Sequence, residues 1–188
     1  MSKIRITGDP DADALLSKDP LALLTGMLLD QQIPMEKAFR GPAVLRDRLG
    51  VPLDAADIAG RTDLQEVFAT PPAIHRFPGS MAGRVQQMCA YLVAHHAGKA
   101  ENVWKGVKTG DELLTRLKAL PGFGEQKAKI FLALLGKQKG VQPTGWREAA
   151  GHYGDEGALR SVADITSPET LLQVRAHKQA MKAAAKKA

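Results

Sequence analysis

Leu120-Pro121-Gly122-Phe123-Gly124, followed by Glu125-Gln126-Lys127-Ala128-Lys129, is the stretch of this chain whose residue types and spacing can do chemistry on an anion. Glycines without a Cβ let consecutive backbone N–H groups converge at the start of a helix, where unpaired donors and the helix dipole favour a phosphate. Gly122, Phe123 and Gly124 are therefore candidates to hold a DNA backbone, with Lys127 and Lys129 supplying mobile positive charge beside them. From Leu120 to Arg147 the basic residues are Lys127, Lys129, Lys137, Lys139 and Arg147, against Glu125 as the acid in the same stretch. That balance suits a surface that meets phosphates.

Two helices must hold this hairpin. Leu113, Leu114 and Leu117 have helical apolar spacing over residues 111–118, and Pro121 stops that helix. The second helix runs from Glu125 to Gly136. Elsewhere nearly every periodic segment is helical. Asp19-Pro20 offers an N-cap and an N1 proline to a helix with a broad apolar face (Leu21, Leu23, Leu24, Met27, Leu28) that ends near Gln32-Ile33-Pro34. Further helices are expected at 35–49, 54–58, 63–69 and 81–96, and Ser167-Pro168-Glu169 opens a last one that is basic toward its end. Only residues 3–7 alternate like a strand, too briefly to anchor a sheet. The fold class is thus all-α.

Charge is unevenly spread. Residues 1–72 carry 8 Lys+Arg and 11 Asp+Glu, whereas residues 73–188 carry 18 and 9. The basic part favours a polyanion partner. Cys89 is the only cysteine, which rules out an intrachain disulfide and a four-cysteine iron–sulfur or zinc site; within Val85 to Val93 it reads as helix core. The five histidines show no zinc-ligand spacing, so no metal or cofactor is expected. No apolar run approaches membrane-spanning length and residues 1–6 lack a signal-peptide core, so a monomeric, cytoplasmic protein without membrane association is expected.

In this order, the segments resemble the helix-hairpin-helix DNA glycosylase superfamily of base excision repair. The match covers roughly Pro20 to Gly136: Pro20-Leu21-Ala22-Leu23-Leu24 with Leu28-Leu29-Asp30-Gln31-Gln32, then Phe77-Pro78-Gly79-Ser80-Met81-Ala82-Gly83-Arg84-Val85 leading into Tyr91-Leu92-Val93, then the hairpin. The resemblance implies two helical lobes, a bundle over 19–136 containing the helix-hairpin-helix at 111–136, and a second lobe from 1–18 plus 137–188. Double-stranded DNA, damaged at one base, would lie across the cleft between them. The family's base-probing glutamine falls on Gln32, with Gln31 adjacent; an amide carries both a donor and an acceptor for a base edge. The family's wedge falls on Phe77, with Arg76 and His75 beside it, a ring able to stack where a base has left.

The catalytic positions depart from the family. Where bifunctional members carry a Schiff-base lysine, two residues after the second hairpin glycine, this chain has Gln126; Lys127 lies one residue further, about 100° around the helix. A monofunctional enzyme without Schiff-base lyase activity is therefore expected. The family's aspartate, whose carboxylate steadies a cation-like sugar, falls on Thr144 in an ungapped comparison. Substitute acids are Asp30, at the mouth of the implied cleft, Glu148 and Asp155. Trp146 either stacks on a flipped base or fills core. Two functions stay open: a monofunctional DNA N-glycosylase, with alkylated purines as the substrates that leave most readily, and a non-catalytic DNA- or lesion-binding protein that kept the fold.

Overall fold

The computed structural model describes residues 3–187, and among them the only strand-like pairing is one bridge between Thr109 and Thr144. The described residues form ten α-helices: α1 (Pro10–Lys18), α2 (Pro20–Leu29), α3 (Met35–Leu49), α4 (Ala55–Gly60), α5 (Leu64–Ala69), α6 (Pro78–His96), α7 (Gly110–Lys118), α8 (Glu125–Gln138), α9 (Trp146–Ala150) and α10 (Pro168–Lys187). Short 3₁₀ turns at Ala100–Val103, Gly151–Gly154 and Val162–Asp164 complete it.

Two of these helices are interior. In α2 every residue from Leu21 to Leu29 is buried, as its nearly unbroken apolar sequence requires. It packs against α1, α3, α6 and the 100–103 turn. Gly26 permits the close approach of α3, because a Cβ there would stand 2.6 Å from the Phe39 ring. The other interior helix is α8, whose Phe131 to Gly136 are all buried, with α7, α9 and the turns at 151–154 and 162–164 around it. Its end is clamped. Lys137 pairs with the buried Asp164 at 2.5 Å, Gln138 Nε2 donates to the Ala163 and Ile165 carbonyls, and Lys139 donates to the Ser17 carbonyl at the end of α1. Lys137 and Lys139, counted above with the basic flank of the hairpin, are thus internal ties.

Helices α1, α2 and α9 differ from the sequence reading, whereas residues 3–7 agree with it. Residues 3–7 are extended but join no sheet. Ile4 and Ile6 are buried and the Ile4 amide donates to Ser17 Oγ, so the alternation reflects one face packed on helices. Helix α1 is not among the expected helices, although Asp9-Pro10 repeats the Asp19-Pro20 start; Asp9 caps it by accepting from the amides of Asp11 and Ala12. Helix α2 stops at Leu29, three residues before Gln32. Buried side chains from Ile4 to Val174 form one continuous core, Cys89 among them; burial pushes its thiol up to about 12.

Candidate functional site

The carboxyl end of α2 gathers most of the candidate residues. A helix ends on carbonyls without intrahelical partners, and here side chains from distant segments supply the donors. Lys127, on the first turn of α8, donates its Nζ to the Leu28 carbonyl at 2.9 Å. Gln31 Nε2 reaches the same oxygen at 3.1 Å, while Gln31 Oε1 accepts from Arg84 of α6 at 2.8 Å. His75 Nε2 lies 3.1 Å from the Leu29 carbonyl and 3.0 Å from that of Gln31. Its Nδ1 accepts the Phe77 amide at 3.0 Å, so the ring proton belongs on Nε2 and the imidazole is neutral. Burial, the main cause, holds the His75 pKa below its ordinary value.

This scaffold sets the outward-facing residues. Gln31 is spent on internal bonds, which leaves Gln32 as the exposed amide of the turn. Gln32 takes a φ of 60°, a left-handed conformation uncommon outside glycine. Through His75 the same turn is tied to the loop carrying Arg76 and Phe77. Phe77 is 40 % exposed, and the Arg76 guanidinium lies 5.4 Å from its ring centre. His75 and Arg84 were not singled out as site residues. A buried histidine bridging segments 44 residues apart leaves no periodic signal.

Asp30 caps α2, its side chain only 9 % exposed. Desolvation raises its pKa, opposed by Lys178 of α10, whose Nζ is 3.9 Å away, and by Lys127. Reciprocally, burial pulls the Lys127 pKa down to about 8, the Asp30 charge partly offsetting it. Lys127, expected as a mobile phosphate ligand, is therefore tethered: the first turn of α8 aims it at the end of α2, a surface that only tertiary packing creates. Glu36 of α3, next to this turn, pairs with Arg175 of α10.

The hairpin seats on α2. Gly122 adopts φ +86°, and a Cβ there would stand 2.4 Å from Leu28 Cδ1. Gly124 has ordinary extended angles and open space where a Cβ would be, so nothing inside the chain demands a glycine there. It is the N-cap of α8 with no side-chain cap bond, which leaves the first amides of α8 free of a capping side chain. Phe123 does not offer its amide. The N–H donates to the Leu120 carbonyl at 3.1 Å, and the ring is buried edge-on to Phe131. The donors for an anion are accordingly the first amides of α8, with exposed Glu125 and half-buried Lys129 beside them.

The remaining candidates lie apart from the end of α2. Thr144 pairs with Thr109 at the start of α7, the end opposite the hairpin. Trp146 is core, not a stacking platform. It is 8 % exposed, its ring fills the space over Gly136, and Arg147 covers it at 4.4 Å. Glu148 and Asp155 line a shallow depression of about 460 Å³ with Lys129, Arg147, His152 and Tyr153. Gln126 faces this second region, its Nε2 donating to the Tyr153 hydroxyl at 3.0 Å. A larger hollow of about 670 Å³ lies among Lys3–Arg5, α1 and the start of α10, but its Asp13, Ser17 and Lys139 are committed to internal bonds.

Among the described residues no group of three His, Cys, Asp or Glu is placed to hold a metal ion, and no helix is long and apolar enough to cross a membrane. Comparison with family models, curated proteins and solved structures gave no match.

Proposed function

We propose that this protein is a monofunctional DNA N-glycosylase of base excision repair, with the two-lobed helix-hairpin-helix glycosylase architecture and the end of α2 as its centre. The observation that supports this reading is the convergence there of Asp30, Gln32, the Arg76–Phe77 loop and Lys127 of the hairpin helix, joined by hydrogen bonds from residues far apart in sequence. The free amides of α8 and Lys129 hold a phosphate of duplex DNA. Phe77 enters the stack in place of an extruded base, and Gln32 meets the exposed base edges. Asp30 supplies negative charge to the sugar as the bond from C1′ to the base nitrogen breaks and the base leaves with the electron pair; water then adds to C1′ and gives up a proton. Alkylated purines are the fitting substrates, because a base already positively charged leaves with little acid assistance.

Gln126, at the position of the family's lysine, has no amine and is engaged with Tyr153, and Lys127 is engaged with the Leu28 carbonyl, so neither attacks the sugar. One observation favours the second reading, a lesion-binding protein without turnover: Lys178 covers Asp30, the acid on which the glycosylase reading relies. Single-turnover base release from duplexes bearing methylpurines, deaminated bases, oxidised bases or mismatches tests between them. Release from one class is the expected result. Binding of damaged duplex without any release would move the assignment to the binder.

A further inference from the structure

Helix α10 is held to the body at one end only. Val174 is its buried residue, Leu171 packs partly against the core, and every residue from Gln179 to Lys187 is exposed. About two and a half helical turns therefore stand in solvent. Ala180, Ala183, Ala184 and Ala185 favour the helix intrinsically, so it needs no packed face to form. It has none to offer. The exposed apolar residues Leu172 and Met181 are nine positions apart, on opposite sides of the helix.

The arm does present a cationic stripe. Arg175, Lys178, Lys182 and Lys186 follow at intervals of three, four and four residues, which keeps them within about 80° of one another around the helix axis. The stripe starts at the candidate site, where Arg175 pairs with Glu36 and Lys178 with Asp30, and Lys182 still acts on the Asp30 charge. Beyond that point no carboxylate is paired with Lys182, Lys186 or Lys187 among the described residues.

We propose that the basic stripe of α10 is a second DNA-backbone surface, which extends the footprint of the hairpin outward from the end of α2 and takes the phosphates of one duplex strand on Lys182 and Lys186. This rests on the duplex-DNA reading above. A row of cations along the solvent-exposed part of a helix is complementary to a polyanion, and each phosphate so neutralised adds about 0.9 to the slope of log affinity against log salt.

The test is the salt dependence of duplex binding by the full chain, measured by fluorescence anisotropy, for wild type, Lys182→Glu/Lys186→Glu and Lys105→Glu/Lys108→Glu. The last pair makes the same change in net charge on exposed residues ahead of α7, at the end opposite the hairpin. The expected result is a slope shallower by about 2 in the α10 variant, with the slope of the control variant close to wild type. An unchanged slope in the α10 variant, or equal losses in both variants, overturns the proposal while leaving the hairpin reading intact. Absence of salt-dependent duplex binding by wild type overturns both.

Discussion

His75 shows how one residue joins two parts of the site. Its Nε2–H serves the α2 carboxyl end and its Nδ1 receives the Phe77 amide, so protonation at Nδ1 removes an acceptor from the loop. Because burial lowers its pKa, the unfolded chain binds this proton more readily. The resulting stability is present above the ordinary histidine value of 6.5 and is lost as pH falls through the lower folded value. Denaturant unfolding at pH 7.5 and pH 5 is expected to show that decline, smaller in His75→Gln; His96, lowered by burial as well, contributes equally in both. An identical decline in the variant would remove His75 from the account. Lys127 gives a sharper prediction. With its amine bonded to Leu28, borohydride in the presence of abasic-site DNA should trap no covalent adduct. An adduct abolished by Lys127→Arg would show that this amine reaches the sugar and that the protein is bifunctional.

At the scale of elements, the hairpin separates two uses of glycine. Gly122 has a left-handed φ and a neighbour at Leu28, so Gly122→Ala is expected to cost about 1–2 kcal/mol of stability from the backbone conformation alone. Gly124→Ala meets neither obstacle and should change stability by less than about 0.5 kcal/mol, yet weaken duplex binding by placing a methyl beside the free amides of α8. Thermal unfolding together with anisotropy decides this; equal stability losses, or undiminished binding by Gly124→Ala, would count against the hairpin as a phosphate site. The helices around this hairpin were legible because their apolar spacing and their Asp-Pro, Ser-Pro and Pro-Gly punctuation are local. The short α9 was not, since five residues hold less than two periods of pattern. The strand-like spacing of Ile4 and Ile6 reflects a buried face, but alternation alone does not say whether such a face meets strands or helices.

Across the whole molecule, two interior helices meet end to start. The carboxyl terminus of α2, negative by its dipole, faces the amino end of α8 with Lys127 between them. This meeting carries the candidate site, and the sequence named residues near it but not the contacts that join them. Gln32, Phe77 and Asp30 are candidates from the sequence, whereas the contacts of His75, Arg84, Lys127 and Lys178 join segments 44 to 148 residues apart. Trp146 and Thr144 show the converse, since positions that look chemical in sequence are packed or bridged elsewhere.

The central claim is that the end of α2 is the reacting centre, and Asp30 tests it directly. Desolvation raises its pKa, so folding loses stability as pH rises from the unfolded value toward the folded one, and Asp30→Asn should fold at least as stably as wild type. The decisive measurement is single-turnover base release by wild type, Asp30→Asn and Glu148→Gln on methylpurine duplex. A fall of roughly a hundredfold or more in Asp30→Asn, with Glu148→Gln near wild type, is predicted. Release unaffected by Asp30→Asn, or no release by wild type while DNA binding persists, would contradict the account.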